Sequence, residues 1–166
     1  MIEREVALKD LPKRLQTVLR YWRDKGGEQL RCGWADFQLD ELPLNLVPTT
    51  MVVDVTDEVA KNSFRFWGSG MNMIHGADMT GKTTSELSPP EFREAVQRTH
   101  AMLANQPRAH ATYYGFERYG GFEHMQTVLR LPLSDDGRNV SQIVIVLEWT
   151  PLGRDRVPGA GRPGVF

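Results

Sequence analysis

The stretch Phe64-Arg65-Phe66-Trp67-Gly68-Ser69-Gly70-Met71-Asn72-Met73-Ile74-His75-Gly76-Ala77-Asp78-Met79-Thr80-Gly81-Lys82-Thr83 decides the fold, because two incompatible architectures both run through it. Its second half, Gly76 to Thr83, satisfies G-x-x-x-x-G-K-[ST], a loop whose amides and lysine cradle phosphates when a strand enters it and a helix leaves it. Its first half alternates like a strand, with Phe64 and Phe66 on the face expected to point inward and Arg65 and Trp67 on the other. The neighbours discriminate. Gly70 to Ala77 has the length of a short helix carrying Met71 and Ile74, so the strand does not lead directly into the loop. Pro89-Pro90 follows Lys82-Thr83 too soon for a helix whose N-terminus would hold phosphates. Asp78 would also place a carboxylate among them. A capped turn accounts for the same residues more simply: Asp78 and Thr80 bond local amides, Gly81 takes a left-handed conformation, and Lys82 is a solvated cation. Gly68-Ser69-Gly70 opens like a dinucleotide fingerprint, but Met73 stands where its third glycine belongs.

Outward from this stretch, the elements read as an antiparallel α+β domain. Thr50 to Thr56 is a β-branched strand preceding the Asn62 to Ser69 strand. A longer helix runs from Pro89 or Pro90 to Asn105, with Ser88 as a cap, prolines in its first turn and a stripe of Phe92, Val96, Thr99, Met102 and Leu103. Ala109 to Glu117 and Phe122 to Leu133 form a hairpin around Tyr119-Gly120-Gly121. A second turn, Ser134 to Asn139, leads into Ser141 to Trp149, which is apolar on both faces, as a central strand covered on each side would be. The cover for its second face is the first helix, Leu11 to Trp22, whose Leu11, Leu15, Val18, Leu19 and Trp22 fall at helical spacing before Gly26-Gly27 stops it. The spacing of Leu11, Leu15, Val18 and Trp22 also fits a short dimer seam. A connection with Pro43 and Pro48 as breakers, and one short turn of helix at Asp40 to Leu46, joins this helix to the strands. The expected organisation is an N-terminal helix at residues 1–27, a domain at 28–150 and a disordered Gly/Pro/Arg-rich tail at 151–166.

Composition narrows the function classes. The 166 residues suit one domain with a single core. Twenty Lys and Arg against 21 Asp and Glu, without a run of one sign, lack the footprint of a nucleic-acid binder. Cys32 alone excludes an intrachain disulfide and a cysteine-cluster metal site and fits a reducing compartment. The start is charged rather than a secretory leader, and Ile143 to Leu147 is too short to span a bilayer, so a cytoplasmic protein without membrane association is expected. His75, His110 and His124 show no metal-ligand spacing. Asp54, Glu123 and His124 are the candidates for acid-base chemistry, but nothing in their spacing singles them out. No catalytic or metal residues are therefore assigned.

The run Phe64-Arg65-Phe66-Trp67-Gly68-Ser69 followed by Gly76-Ala77-Asp78-Met79-Thr80-Gly81-Lys82 resembles the strand-to-helix passage and the aspartate-to-glycine turn of a bacterial stand-alone branch of PAS domains. Trp22 to Gly27, Asp36-Phe37 and Leu42-Pro43 extend the resemblance over about residues 11 to 150; it departs at Cys32-Gly33-Trp34. What it implies is a five-stranded antiparallel sheet with helices on one face, the additional amphipathic helix, and an enclosed cavity. The implied function is sensory: a non-catalytic signalling module that binds a small molecule or a protein partner, as a homodimer. Phe64, Phe66, Met71, Ile74, Met102 and Met125 are the expected ligand-binding residues, methionine being an adaptable cavity wall. The cofactor is left open. Flavin photosensors of this fold carry a cysteine between residues 70 and 90, where this chain has none, and haem sensors use a histidine on the long helix, where this chain has His100. The alternatives are the nucleotide loop at Gly76–Thr83 and a small α+β acid-base enzyme.

Overall fold

A computed structural model describes residues 2–118 and 122–150, with side chains of 116–118, 122–124 and 150 left aside. The Tyr119-Gly120-Gly121 turn and the tail expected after residue 150 lie outside the described residues.

The strands are β1 (Ile2–Glu5), β2 (Thr50–Asp54), β3 (Ser63–Trp67), β4 (His110–Arg118), β5 (Phe122–Leu133) and β6 (Gln142–Thr150), and the α-helices are α1 (Lys13–Asp24), α2 (Met71–His75) and α3 (Pro90–Asn105). They form one antiparallel sheet in the order β1-β4-β5-β6-β2-β3. Six strands replace the five expected. The added strand is Ile2–Glu5, which pairs with Thr112 to Gly115 of β4. All four of its residues are exposed, so it carries no burial pattern that a periodicity argument could detect and is held by ladder hydrogen bonds at the sheet edge.

The central strand β6 divides its side chains between two cores. Val144 and Val146 join Val52, Leu129, Leu131 and Leu133 beneath α1, while Ile143, Ile145 and Leu147 join Met51, Val53 and Val128 beneath α3. Helix α1 turns Leu15, Val18, Leu19 and Trp22 onto the sheet, each no more than 1% exposed. Trp22 Nε1 donates to the Pro132 carbonyl at 2.9 Å, and Arg14 Nε meets Glu148 of β6 at 2.9 Å. The apolar face that would form a dimer seam is thus consumed by the chain's own sheet, which corrects that expectation for this helix. Gly27 makes the turn after α1 fit: a Cβ there would stand 2.1 Å from Trp22 Cε2.

The alternation assumed for β3 fails at one residue. Val52 faces Phe66 and Val53 faces Phe64 across the β2–β3 ladder, so Arg65 is an extra residue, a β-bulge. Past the bulge the faces exchange: Phe64 and Trp67 share the α3 side, at 4.9 Å between ring centroids, while Phe66 packs against the α1-side core. Phe64 and Phe66 are therefore not on one face, contrary to the strict period of two. Arg65 turns outward to Asp54 at 2.8 Å and lies 5.6 Å over the Trp34 ring.

Leu15 is fully buried, so Leu15→Ala should cost about 2–5 kcal/mol of unfolding free energy in urea denaturation. Leu15→Glu should abolish cooperative folding, instead of yielding a folded protein with altered subunit number.

Candidate functional site

The α3 side of the sheet encloses a cavity of ≈ 30 Å³, room for one or two water molecules. Its apolar wall comes from Met51 of β2, Phe64 and Trp67 of β3, Met71 of α2, and Phe92 and Val96 of α3. Val128 of β5 with Ile145 and Leu147 of β6 forms the floor. The period of two places Tyr114 on β4 and Gln126 and Arg130 on β5 on this same face, and the helical spacing of Phe92, Val96 and His100 brings the histidine to the same wall. An aromatic row edges the cavity: Trp67 meets His75 at 5.2 Å, and His75 stacks on Phe92 at 5.3 Å.

Polar groups gather at one end. Arg130 is 2% exposed and donates from its terminal nitrogens to Thr112 Oγ1 at 3.2 Å and to the Tyr114 hydroxyl at 3.0 Å. Tyr114 donates in turn to Glu3 Oε1 at 3.4 Å, and Arg98 of α3 holds the other Glu3 oxygen at 2.8 Å. His100 is completely buried without a hydrogen bond at either ring nitrogen. Burial, reinforced by the nearby Arg130 charge, pulls its pKa from the ordinary 6.5 to about 3, so the ring is neutral at physiological pH. His110, also on this face, falls to about 4 for the same two reasons.

Of the residues expected to bind ligand, Phe64 and Met71 line the cavity. Ile74 and Met102 are partly buried against the surrounding core, without reaching the cavity. Phe66 lies across the sheet because of the bulge. Met125 is half-buried, and alternation along β5 turns it away from the Gln126 face. The lining residues not anticipated include Trp67, Phe92, Tyr114, Gln126, Val128 and Arg130. Arg130 carried a signal, since a guanidinium between Leu129 and Leu131 in a buried strand is anomalous.

The other candidates resolve plainly. In the Gly76–Thr83 loop every amide from Thr80 to Thr83 is already committed: to the Asp78 carboxylate, the Phe64 carbonyl, the Met79 carbonyl and Glu86, respectively. None of these four amides remains for phosphate, and Thr83 caps only the three-residue 3-10 turn Thr84–Glu86. Positive φ at Gly76 and Gly81, 71° and 76°, serves this turn. Asp54 is engaged by Arg65 at the far end of β2, and the Glu123 and His124 side chains lie outside the described ones. Cys32, buried in the α1-side core with its thiol pushed up to about 11 by desolvation, is on the wrong face for a flavin adduct. His100 points to the cavity, but ≈ 30 Å³ does not admit a tetrapyrrole between these walls. Among the described residues, no group of three His, Cys, Asp or Glu is placed to hold a metal, and no helix is long and apolar enough to cross a membrane.

A single antiparallel sheet with a helix-walled cavity on one face is an architecture that solved structures share. Neither a sequence-family model nor a curated protein matches the chain. Among solved structures, VqmA bound to DPO aligns with a TM-score of 0.50 at 13% identity, over 69% of this chain and 59% of that one. The PAS domain of an HTR-like protein from Haloarcula marismortui aligns at TM-score 0.41 and 15% identity, over 84% of this chain and all 100% of that one. A light-oxygen-voltage domain studied with a flavin analogue aligns at TM-score 0.44 and 16% identity, over 61% and 76% of the two chains. The chain has the PAS fold.

Two outcomes are expected. Because the folded state keeps His100 neutral, the unfolded state binds its proton first as pH falls below 6.5. Stability is then lost toward pH 3 at up to about 1.4 kcal/mol per pH unit from this residue; a folded His100→Gln variant should show a correspondingly shallower decline in acid-dependent urea midpoints. Millimolar ATP or GTP with Mg²⁺ should leave the melting temperature unchanged in both the native protein and Lys82→Ala; a rise dependent on Lys82 would restore the phosphate loop.

Proposed function

We propose that the protein is a PAS-type sensory module without catalytic activity, which binds a small molecule between α2, α3 and the sheet and transmits its occupancy to a protein partner. The observation that carries this reading is the cavity itself, built where the fold brings aromatic and methionine walls against a polar end. The PAS fold, and the binding of DPO by VqmA over a comparable architecture, support it. The near balance of 20 basic and 21 acidic residues favours a protein partner over nucleic acid. Self-association as a homodimer belongs to the same reading, through a surface other than the inward stripe of α1. The ligand-contacting residues are Phe64, Trp67, Met71, Phe92 and Val128, with Phe66 and Met125 acting only indirectly through the sheet.

A response follows only if occupied and empty cavities differ in partner affinity. The hydrogen bonds linking Arg130, Tyr114, Glu3 and Arg98 give the cavity a physical connection to β1 and to the surface of α3. The test is a fragment screen read by amide shifts in NMR, with native mass spectrometry for co-purified molecules and subunit number. Hits should move resonances of Val128, Phe64 and Met71 and should be lost in Val128→Phe, which fills the floor. A folded protein that carries no molecule and shows no hit at these residues would overturn the reading.

A further inference from the structure

The polar end of the cavity holds a charge that the described residues do not neutralise. The Arg130 guanidinium touches two hydroxyls, Thr112 at 3.2 Å and Tyr114 at 3.0 Å, and lies 5.5 Å from the Tyr114 ring centroid. All of these partners are neutral, and Nε has no acceptor. Among the described residues no carboxylate forms an ion pair with it: Glu3 is bound to Tyr114 and Arg98, and Glu5 lies 3.8 Å from His110. A desolvated cation among neutral groups is unfavourable until an anion meets it. Two more groups on the same cavity are unsatisfied: both ring nitrogens of His100, which is 0% exposed, and Oε1 of Gln126, which is 2% exposed. A neutral imidazole always has one N–H to give and one lone pair to fill, and a side-chain amide has both functions. Three buried side chains from α3 and β5 therefore present unused hydrogen-bonding capacity to one enclosed space.

We propose that this cavity takes a small monocarboxylate with a compact aromatic or branched apolar body. The proposal rests on the cavity being a ligand site and adds the charge of the ligand. The carboxylate accepts from the Arg130 Nε–H and the His100 ring N–H, and the body lies against Trp67, Met71 and Phe92. The cavity's ≈ 30 Å³ is about the space of the carboxylate group alone, so the body enters by shifting Met51 and Met71, the two adaptable side chains of the wall. The same limit disfavours extended or multiply charged ligands. A monoanion also matches the single guanidinium.

Benzoate and benzamide have the same shape and differ in charge, which makes them the probes. With the native chain, millimolar benzoate should raise the melting temperature by mass action and move the Arg130 Nε–H and His100 ring resonances in NMR, while benzamide does neither. Arg130→Met should abolish the benzoate response and raise the melting temperature of the ligand-free protein, because it removes a buried uncompensated charge. Equal responses to both probes would overturn the charge assignment and leave the cavity as a ligand site. A benzoate effect that survives Arg130→Met, or no benzoate response where the fragment screen finds neutral ligands at Val128, would also overturn it. Should Arg130→Met not fold, the paired probes and the Arg130 and His100 resonances of the native protein decide the matter alone.

Discussion

The structure depends on a sheet that must be covered on both faces. Strand β6 sends Val144 and Val146 one way and Ile143, Ile145 and Leu147 the other, and leaving either set in water would forfeit roughly 1.5–3 kcal/mol per side chain. Helix α1 and the connection containing Cys32, Phe37, Leu42 and Leu46 seal one face; α2 and α3 cover the other. The two covers differ in kind. Beneath α1 the buried polar residues of the strands, Thr50, Thr127 and Gln142, are uncharged, whereas beneath α3 the same strands contribute His110, Thr112, Gln126 and the Arg130 cation. The buried cation thus lies on the face that holds the cavity.

Most of the fold was legible because the sequence states it locally. A β-branched run located β2 and turn residues located β4, β5 and β6, and the doubled apolar character of β6 predicted that a helix must lie on its second face. Two features escaped. Strand β1 reads Ile-Glu-Arg-Glu and buries none of its side chains, so its existence depends on backbone pairing with a partner more than a hundred positions away. The bulge at Arg65 escaped because alternation arguments assume an unbroken ladder, and only the pairing of Val52 with Phe66 and Val53 with Phe64 shows the extra residue.

The candidate site was less legible. Choosing adaptable methionines found Met71 but also selected Met125, whose neighbour Gln126 holds the inward position. Residue type alone does not choose a face; register does, and register follows from pairing. The polar members were each visible as exceptions: Arg130 between leucines, Gln126 two places before Val128, His100 on the apolar stripe of α3. Their convergence was not visible, because β4, β5 and α3 meet only in the folded chain. The phosphate-loop pattern shows the converse. Its residues match a short motif completely, yet hydrogen bonds to β3, to Glu86 and within the loop occupy the amides from Thr80 to Thr83.

Strand β1 also governs how the molecule behaves toward its own kind. Without Ile2–Glu5, the outer ladder of β4 around Tyr113 and Tyr114 would present unpaired N–H and C=O groups, a template on which another sheet can grow. The strand that takes that position offers Glu3, Arg4 and Glu5 at the boundary. Any sheet approaching this boundary meets charged side chains that must be desolvated before a new ladder forms. The same four residues that make no contribution to the core thus defend the protein against edge-to-edge aggregation.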